Sequence, residues 1–219
     1  VRGKIWHHAS GFRCIADACV KDSYAKSLVC AIEQWLHRAI GTYGKVDAYL
    51  GLSRFLIDTF RDFGFPYPIQ LLPQPLYPFP SLDAPLAPIA GKTLLYFGRL
   101  SPEKGVATAI RAFAKIDDPE ARFTIVGLGP DEARLKGLVS ELGLEGRVSF
   151  PGPVYGEAMQ SLIRSARAVL MPSEWYENTP YALLEAQAAG DSGQVVLARE
   201  DGEVIQVTGR AIAVAAAAI

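Results

Sequence analysis

Between residues 93 and 189 the sequence repeats one local pattern four times: a short apolar run bounded by glycine, proline or serine, then a longer segment with apolar residues at helical spacing. The runs are TLLYFG (93–98), RFTIVG (122–127), RVSFPG (147–152) and AVLMPS (168–173). The segments that follow them are about Glu103–Ile116, Pro130–Leu142, Tyr155–Ala166 and Pro180–Ala189. Strands alternating with helices of this length are joined by right-handed crossovers, which align the strands in parallel. The expected fold class is therefore α/β, a Rossmann-like parallel sheet with helices on both faces. Open sheets of this kind bind ligands at the carboxyl ends of their strands, beside the helix N-termini, so the chemistry belongs in the strand-to-helix loops.

Upstream, Leu28, Ala31, Ile32, Trp35, Ala39 and Ile40 recur at helical spacing, which predicts one amphipathic helix from Ser23 to Ile40, ending near Gly41. VDAYLGLS reads as a short strand. Ser53 is placed to cap a helix through Phe63, Gly64 to stop it, and PIQLL to form another strand. Six prolines then fall within the sixteen residues Pro73–Pro88. Prolines lack the backbone donor that a central strand or helix interior needs, so this stretch reads as a linker between domains. After Gly190, the Asp201-Gly202 pair between VVLARE and EVIQV reads as a β-hairpin turn, with no helix signal behind it. The expected organisation is 1–72, a first domain's segment; 73–90, the linker; 91–193, the main α/β domain; and 194–219, a divergent tail.

Composition excludes several function classes. Twenty-two basic and 23 acidic residues are mixed along the chain for a net charge of −1, so no field favours nucleic acid. The longest strongly apolar run, Ala211–Ile219, has nine residues, against the ~20 that a bilayer-spanning helix needs. Val1 opens no recognisable signal peptide. Cys14, Cys19 and Cys30 are odd in number, which does not suit a secreted disulfide framework. The expected location is cytoplasmic, with peripheral membrane association left open. Those cysteines with His7 and His8 could be read as zinc ligands, but C-x4-C-x10-C matches no common finger, so no metal is expected. DxD, HExxH and GxSxG are absent as well.

Four loops carry candidate residues. FGRLSPEKG (97–105) puts Gly98, Arg99 and Lys104 between a strand end and a new helix, where free amides already favour anions. Two cations there suit a diphosphate, although a solvated Arg and Lys flanking a Ser-Pro turn would look the same. In VGLGPDE (126–132), Gly127 and Gly129 permit close backbone approach, either to a nucleotide or within a tight turn. FPGPV (150–154), ending at Val154, is a weaker case. In SEWYENTPYALLEA (173–186), Pro180 fits a first helical turn, so Glu177 and Asn178 precede the helix and Glu185 lies within it. A ligand across that helix start could be held by both carboxylates through charge-assisted hydrogen bonds from sugar or ribose hydroxyls. The bland reading has Glu177 opposing the helix dipole and Glu185 merely exposed.

FGRLSPEKG, VGLGP and PSEWYENTPYALLEAQAAG, in this order and with the E-x7-E spacing of Glu177 to Glu185, resemble the donor-binding half of a GT-B glycosyltransferase of the retaining family 4 group. SLVCAIEQWLHR, VDAYLGLSRFLIDTFRDFGFP and the linker resemble the closing segment of that family's acceptor-side, second Rossmann-like domain. The resemblance spans roughly Ser23–Gly190, and the tail departs from it.

The resemblance implies a transferase moving a sugar from a nucleotide-diphosphate donor to an unknown acceptor, whether saccharide, lipid or other. It implies that Arg99 and Lys104 hold the diphosphate and stabilise its growing charge, which would need no metal or other cofactor. Glu185 would take the ribose hydroxyls. Glu177, with the amides of Asn178 and Thr179, would meet the donor sugar and phosphate, and Gly98, Gly127, Gly129, Val154 and Tyr181 would complete the donor site. Two rivals stand beside this reading: a truncated nucleotide-sugar-binding module without turnover, and a Rossmann-type oxidoreductase. FGRLSPEKG lacks the glycine fingerprint that the second requires. An incomplete sheet would also expose an unpaired edge and favour self-association.

Overall fold

A computed structural model describes residues 11–20, 22–73, 91–174, 181–188, 195–198, 204–207 and 212–214. The linker segment 74–90 and the Asp201-Gly202 turn lie outside the described residues. The chain divides into two compact units, Val1–Pro75 and Leu76–Ile219.

In the first unit, a six-residue helix α1 (Gly11–Ala16) precedes α2 (Tyr24–Ala39). α1 is too short for a periodicity argument, and the sequence reading has no counterpart to it. α2 begins as expected: the Ser23 side chain accepts the Lys26 amide at 3.4 Å. Strand β1 (Tyr49–Gly51) pairs in parallel with β2 (Ile69–Leu71), and α3 (Arg54–Asp62) connects them. Both ends of α3 follow from single residues. Ser53 Oγ accepts the Leu56 amide at 3.1 Å, and Gly64 takes the left-handed backbone (φ +72°) that lets its amide and that of Phe65 satisfy the carbonyls of Arg61 and Phe60.

In the second unit, β3 (Thr93–Phe97), β4 (Arg122–Val126), β5 (Val148–Gly152), β6 (Ala168–Met171) and β9 (Ile212–Val214) form one parallel sheet in the order β5-β4-β3-β6-β9. Helices α4 (Val106–Ala114), α5 (Glu132–Glu141), α6 (Gly156–Ser165) and α7 (Tyr181–Ala188) follow β3, β4, β5 and β6 in turn. Alternation along the strands feeds two cores. Tyr96, Phe123 and Ile125 pack with Ile110 and Phe113 of α4 and Leu135 of α5 on one face. Leu95, Phe97 and Val126 pack with Met159 and Ile163 of α6 and Ala186 of α7 on the other. This is the expected α/β sheet with helices on both faces.

Two features depart from the sequence reading. The helix expected from Glu103 is split into a 3₁₀ turn (Pro102–Lys104) and α4, because Gly105 adopts a left-handed φ of +63° between them. The tail supplies β7 (Val195–Ala198) and β8 (Val204–Val207), antiparallel as expected of a hairpin. It also supplies β9, which pairs in parallel with β6 and extends the main sheet; its three residues IAV sit in an alanine-rich run that carries no strand signal of its own.

Candidate functional site

The chain leaves β3, builds outward through β4 to β5, and then returns to the other side of β3 as β6. The loops after β3 and β6 therefore diverge to opposite sides of the sheet, and such a switch point opens a crevice at the strands' carboxyl ends. A cavity of about 580 Å³ lies there.

Five predicted residues line it together: Gly98, Arg99, Gly127, Val154 and Glu185. Three others do not. Lys104 stands in the 3₁₀ turn, Gly129 lies deeper in the loop after β4, and Tyr181 is 48 % exposed at the start of α7. Glu177, Asn178 and Thr179 lie outside the described residues.

The glycines keep two loops in contact. A Cβ on Gly127, whose φ is +138°, would overlap the Gly98 carbonyl oxygen, and a Cβ on Gly129 would overlap that of Leu100. The ladder of β3 and β4 thus continues past the strand ends: the Gly98 amide donates to Val126 O at 3.0 Å and the Leu100 amide to Leu128 O at 2.9 Å. Of the two roles open for Gly129, packing against its own chain is the one that these contacts account for.

The cationic loop is more ordered than its sequence suggests. Ser101 is buried, and its hydroxyl donates to Glu103 Oε1 at 2.6 Å. That bond, the residue's own amide, and the charges of Arg99 and Lys104 hold the Glu103 carboxyl below its ordinary value. Glu103 is thereby favoured in its charged form, first of all by Ser101, which no spacing rule flags. The Arg99 carbonyl is fixed by the Tyr96 hydroxyl at 2.8 Å.

Glu185 is half-buried, and burial alone raises its pKa. A carboxylate partly stripped of water in a cavity gains most from hydroxyl donors that a ligand brings. Met159, Gln160 and Ile163 on α6, and Tyr155 just before it, also line the cavity. The apolar pair Met159 and Ile163 was legible as a helical stripe, but a stripe cannot tell a cavity wall from solid core.

A model of the family described as glycosyl transferases group 1 matches residues 85–202, more than half of the 219-residue chain. The chain belongs to the group 1 glycosyl transferases. Over 179 residues this group 1 member is 30 % identical to the 2-deoxystreptamine glucosyltransferase of Streptomyces kanamyceticus, a match covering 77 % of this chain and 46 % of that one. Over 108 residues it is 41 % identical to an exopolysaccharide phosphotransferase of Streptomyces coelicolor, covering 48 % of this chain and 11 % of that one. The chain thus spans less than half the length of either relative. Its fold superposes with a TM-score of 0.58 on Anabaena HepE in complex with UDP and glucose, at 20 % identity, covering 78 % of this chain and 50 % of that one. The solved structures that it resembles are GT-B glycosyltransferases, in keeping with the fold read from the loops.

Among the described residues of this group 1 member, no helix is long and apolar enough to cross a membrane. No cluster of His, Cys, Asp or Glu among them is arranged to hold a metal; His7 and His8 lie outside the described residues.

Proposed function

We propose that this chain carries the donor site of a retaining, metal-independent glycosyltransferase of family 4, which transfers a sugar from a nucleotide-diphosphate sugar to an acceptor hydroxyl. The observation that carries the reading is the convergence of Arg99 and the partly desolvated Glu185 on one cavity at the sheet's switch point. Glu185 would accept the ribose hydroxyls. Arg99 and Lys104 would hold the diphosphate and offset the negative charge that develops on it as the bond to the sugar's anomeric carbon breaks. Preplaced cations of this kind supply the leaving-group stabilisation that a bound metal supplies elsewhere, and the reading requires no cofactor. Glu177, with the amides of Asn178 and Thr179, would orient the sugar, and Tyr181 would stand at the same helix start. The acceptor would attack from the face that the diphosphate leaves. Binding of UDP and glucose by the HepE protein, and the glucosyl transfer named for the S. kanamyceticus relative, support a nucleotide-sugar donor.

A second reading is a nucleotide-sugar-binding module without turnover. In it the cavity holds a nucleotide sugar with no acceptor aligned to it, whereas donor and acceptor must be held in line for transfer. Incubation with a panel of nucleotide sugars, measuring released nucleotide beside calorimetric binding, separates the two. Released nucleotide supports the enzyme, binding heat without release supports the module, and neither signal rejects both.

A further inference from the structure

The segment leaving β6 passes directly over the cationic loop. Pro172 presents its carbonyl oxygen where a Cβ on Gly105 would stand, so that only glycine fits beneath it. Two residues on, the Glu174 amide donates to the Glu103 carbonyl at 2.9 Å. The Thr108 hydroxyl, on the first turn of α4, donates to Glu174 Oε1. The Arg134 guanidinium of α5 is bonded mainly to Asp131, and the Glu174 charge stabilises it further. Glu174 is thereby tied to the 3₁₀ turn and to α4.

These ties bear on Lys104. The Pro102–Lys104 turn is a single 3₁₀ turn, closed by the Lys104 amide to Ser101 O at 3.0 Å and the Gly105 amide to Pro102 O at 3.1 Å. Such turns have poorer hydrogen-bond geometry than α-helix and depend on outside support. Here the support is attached at Glu103: Ser101 holds its carboxylate and Glu174 its backbone carbonyl. Lys104 is the next residue in the chain, and what fixes Glu103 fixes the base of the lysine.

We propose that Glu174 and Thr108 are positioning residues for diphosphate recognition, acting through the Glu103–Lys104 turn although neither lines the cavity. This rests on the nucleotide-sugar reading of the site. It makes a prediction of sign. If the carboxylate of Glu174 mattered only as a charge, removing it would strengthen the binding of a diphosphate. As an anchor, its removal weakens binding, and Thr108→Val does the same while leaving the charge in place.

The test uses the full chain and calorimetric titration with UDP, GDP, ADP and dTDP, then with the nucleoside of whichever binds most tightly. Loss of one net hydrogen bond corresponds to a weakening of about threefold to tenfold, expected for the diphosphate with Thr108→Val and Glu174→Ala. Affinity for the nucleoside stays at the wild-type level in both, which a general disruption of the domain would not permit. Thr108→Ser and Glu174→Gln, which keep the donor and the acceptor oxygen, restore wild-type diphosphate affinity. Wild-type diphosphate affinity in Thr108→Val, tighter binding in Glu174→Ala, or equal loss of nucleoside and diphosphate each overturns the proposal while the site reading survives. If none of the four nucleotides binds the wild-type chain, the site reading fails and the proposal falls with it.

Discussion

Phe113, Phe123, Ile125 and Leu135 of the second unit are at most 1 % exposed, whereas Trp35 of the first unit is 70 % exposed and no described apolar side chain of that unit is buried. The local signals were equally strong in both. Leu28, Ile32, Trp35 and Leu36 keep helical spacing as well as Val106, Ile110 and Phe113 do. Periodicity reports which residues share a face; it does not report whether another layer covers that face. In the second unit a five-stranded sheet, with helices on both sides, supplies the layers. The first unit has only a two-stranded parallel pair among its described residues. Ser27 is fully buried and accepts the Val20 amide at 3.0 Å, while Tyr49 packs edge-on to Phe65 with ring centroids 4.8 Å apart.

Phe123→Ala probes the covered side of this contrast and should have the largest effect. Removing a fully buried ring from the sheet core is expected to cost about 3–5 kcal/mol, read from urea unfolding followed by near-ultraviolet circular dichroism. A cost under about 1 kcal/mol would show that this core is looser than its burial indicates.

Gly127→Ala comes next, since it forces a side chain into a φ of +138° and against the Gly98 carbonyl. A strained backbone of this kind costs roughly 1–3 kcal/mol, and the loops it separates are those that shape the cavity. Nucleotide binding should therefore fall together with stability. Unchanged stability would mean that the two loops do not need their close approach.

What could be read in advance divides along the same line. Ser53 and Gly64 announced both ends of α3, because a cap is a property of one residue and its immediate neighbours. The break at Gly105 could not be read, because its cause, the carbonyl of Pro172, is remote in sequence. β9 was missed because three short apolar residues become a strand only when β6 offers an edge. Of the cavity's lining, Gly98, Arg99, Gly127, Val154 and Glu185 were singled out by sequence motifs. The bond from Ser101 to Glu103 was not legible, since an acid in a turn carries no signal until its partner is seen.

A smaller effect is expected at Asp131, whose carboxylate accepts from Arg134 Nε at 2.5 Å and from its second nitrogen at 2.6 Å. Arg134, bonded to it, lowers the Asp131 pKa. A carboxylate that titrates lower in the folded chain stabilises it fully above the ordinary range, and that stability is lost as pH falls from about 4 through the folded value. Arg134 is half exposed, so the pair should contribute only about 0.3–1 kcal/mol. Arg134→Ala should flatten this acid limb; an unaltered limb in the variant would assign it to other carboxylates.

The smallest effect belongs to the uncovered side. Trp35→Ala should change stability by no more than about 0.5 kcal/mol, as surface substitutions do. A loss of 2 kcal/mol or more would show that the apolar face of α2 is covered in solution, and the contrast between the units would be broken.

The central claim is that Arg99 and Glu185 read two parts of one nucleotide. Calorimetric titration of the wild-type chain, Arg99→Ala and Glu185→Ala with UDP, GDP, ADP and dTDP tests it most directly. The account predicts that one of these binds the wild type and that both variants bind it about tenfold or more weakly, the loss expected when a charged hydrogen-bonding partner is removed. Arg99→Ala should retain affinity for the corresponding nucleoside, and Glu185→Ala should lose it. Equal affinity of all three proteins for the nucleoside diphosphate would contradict the assignment.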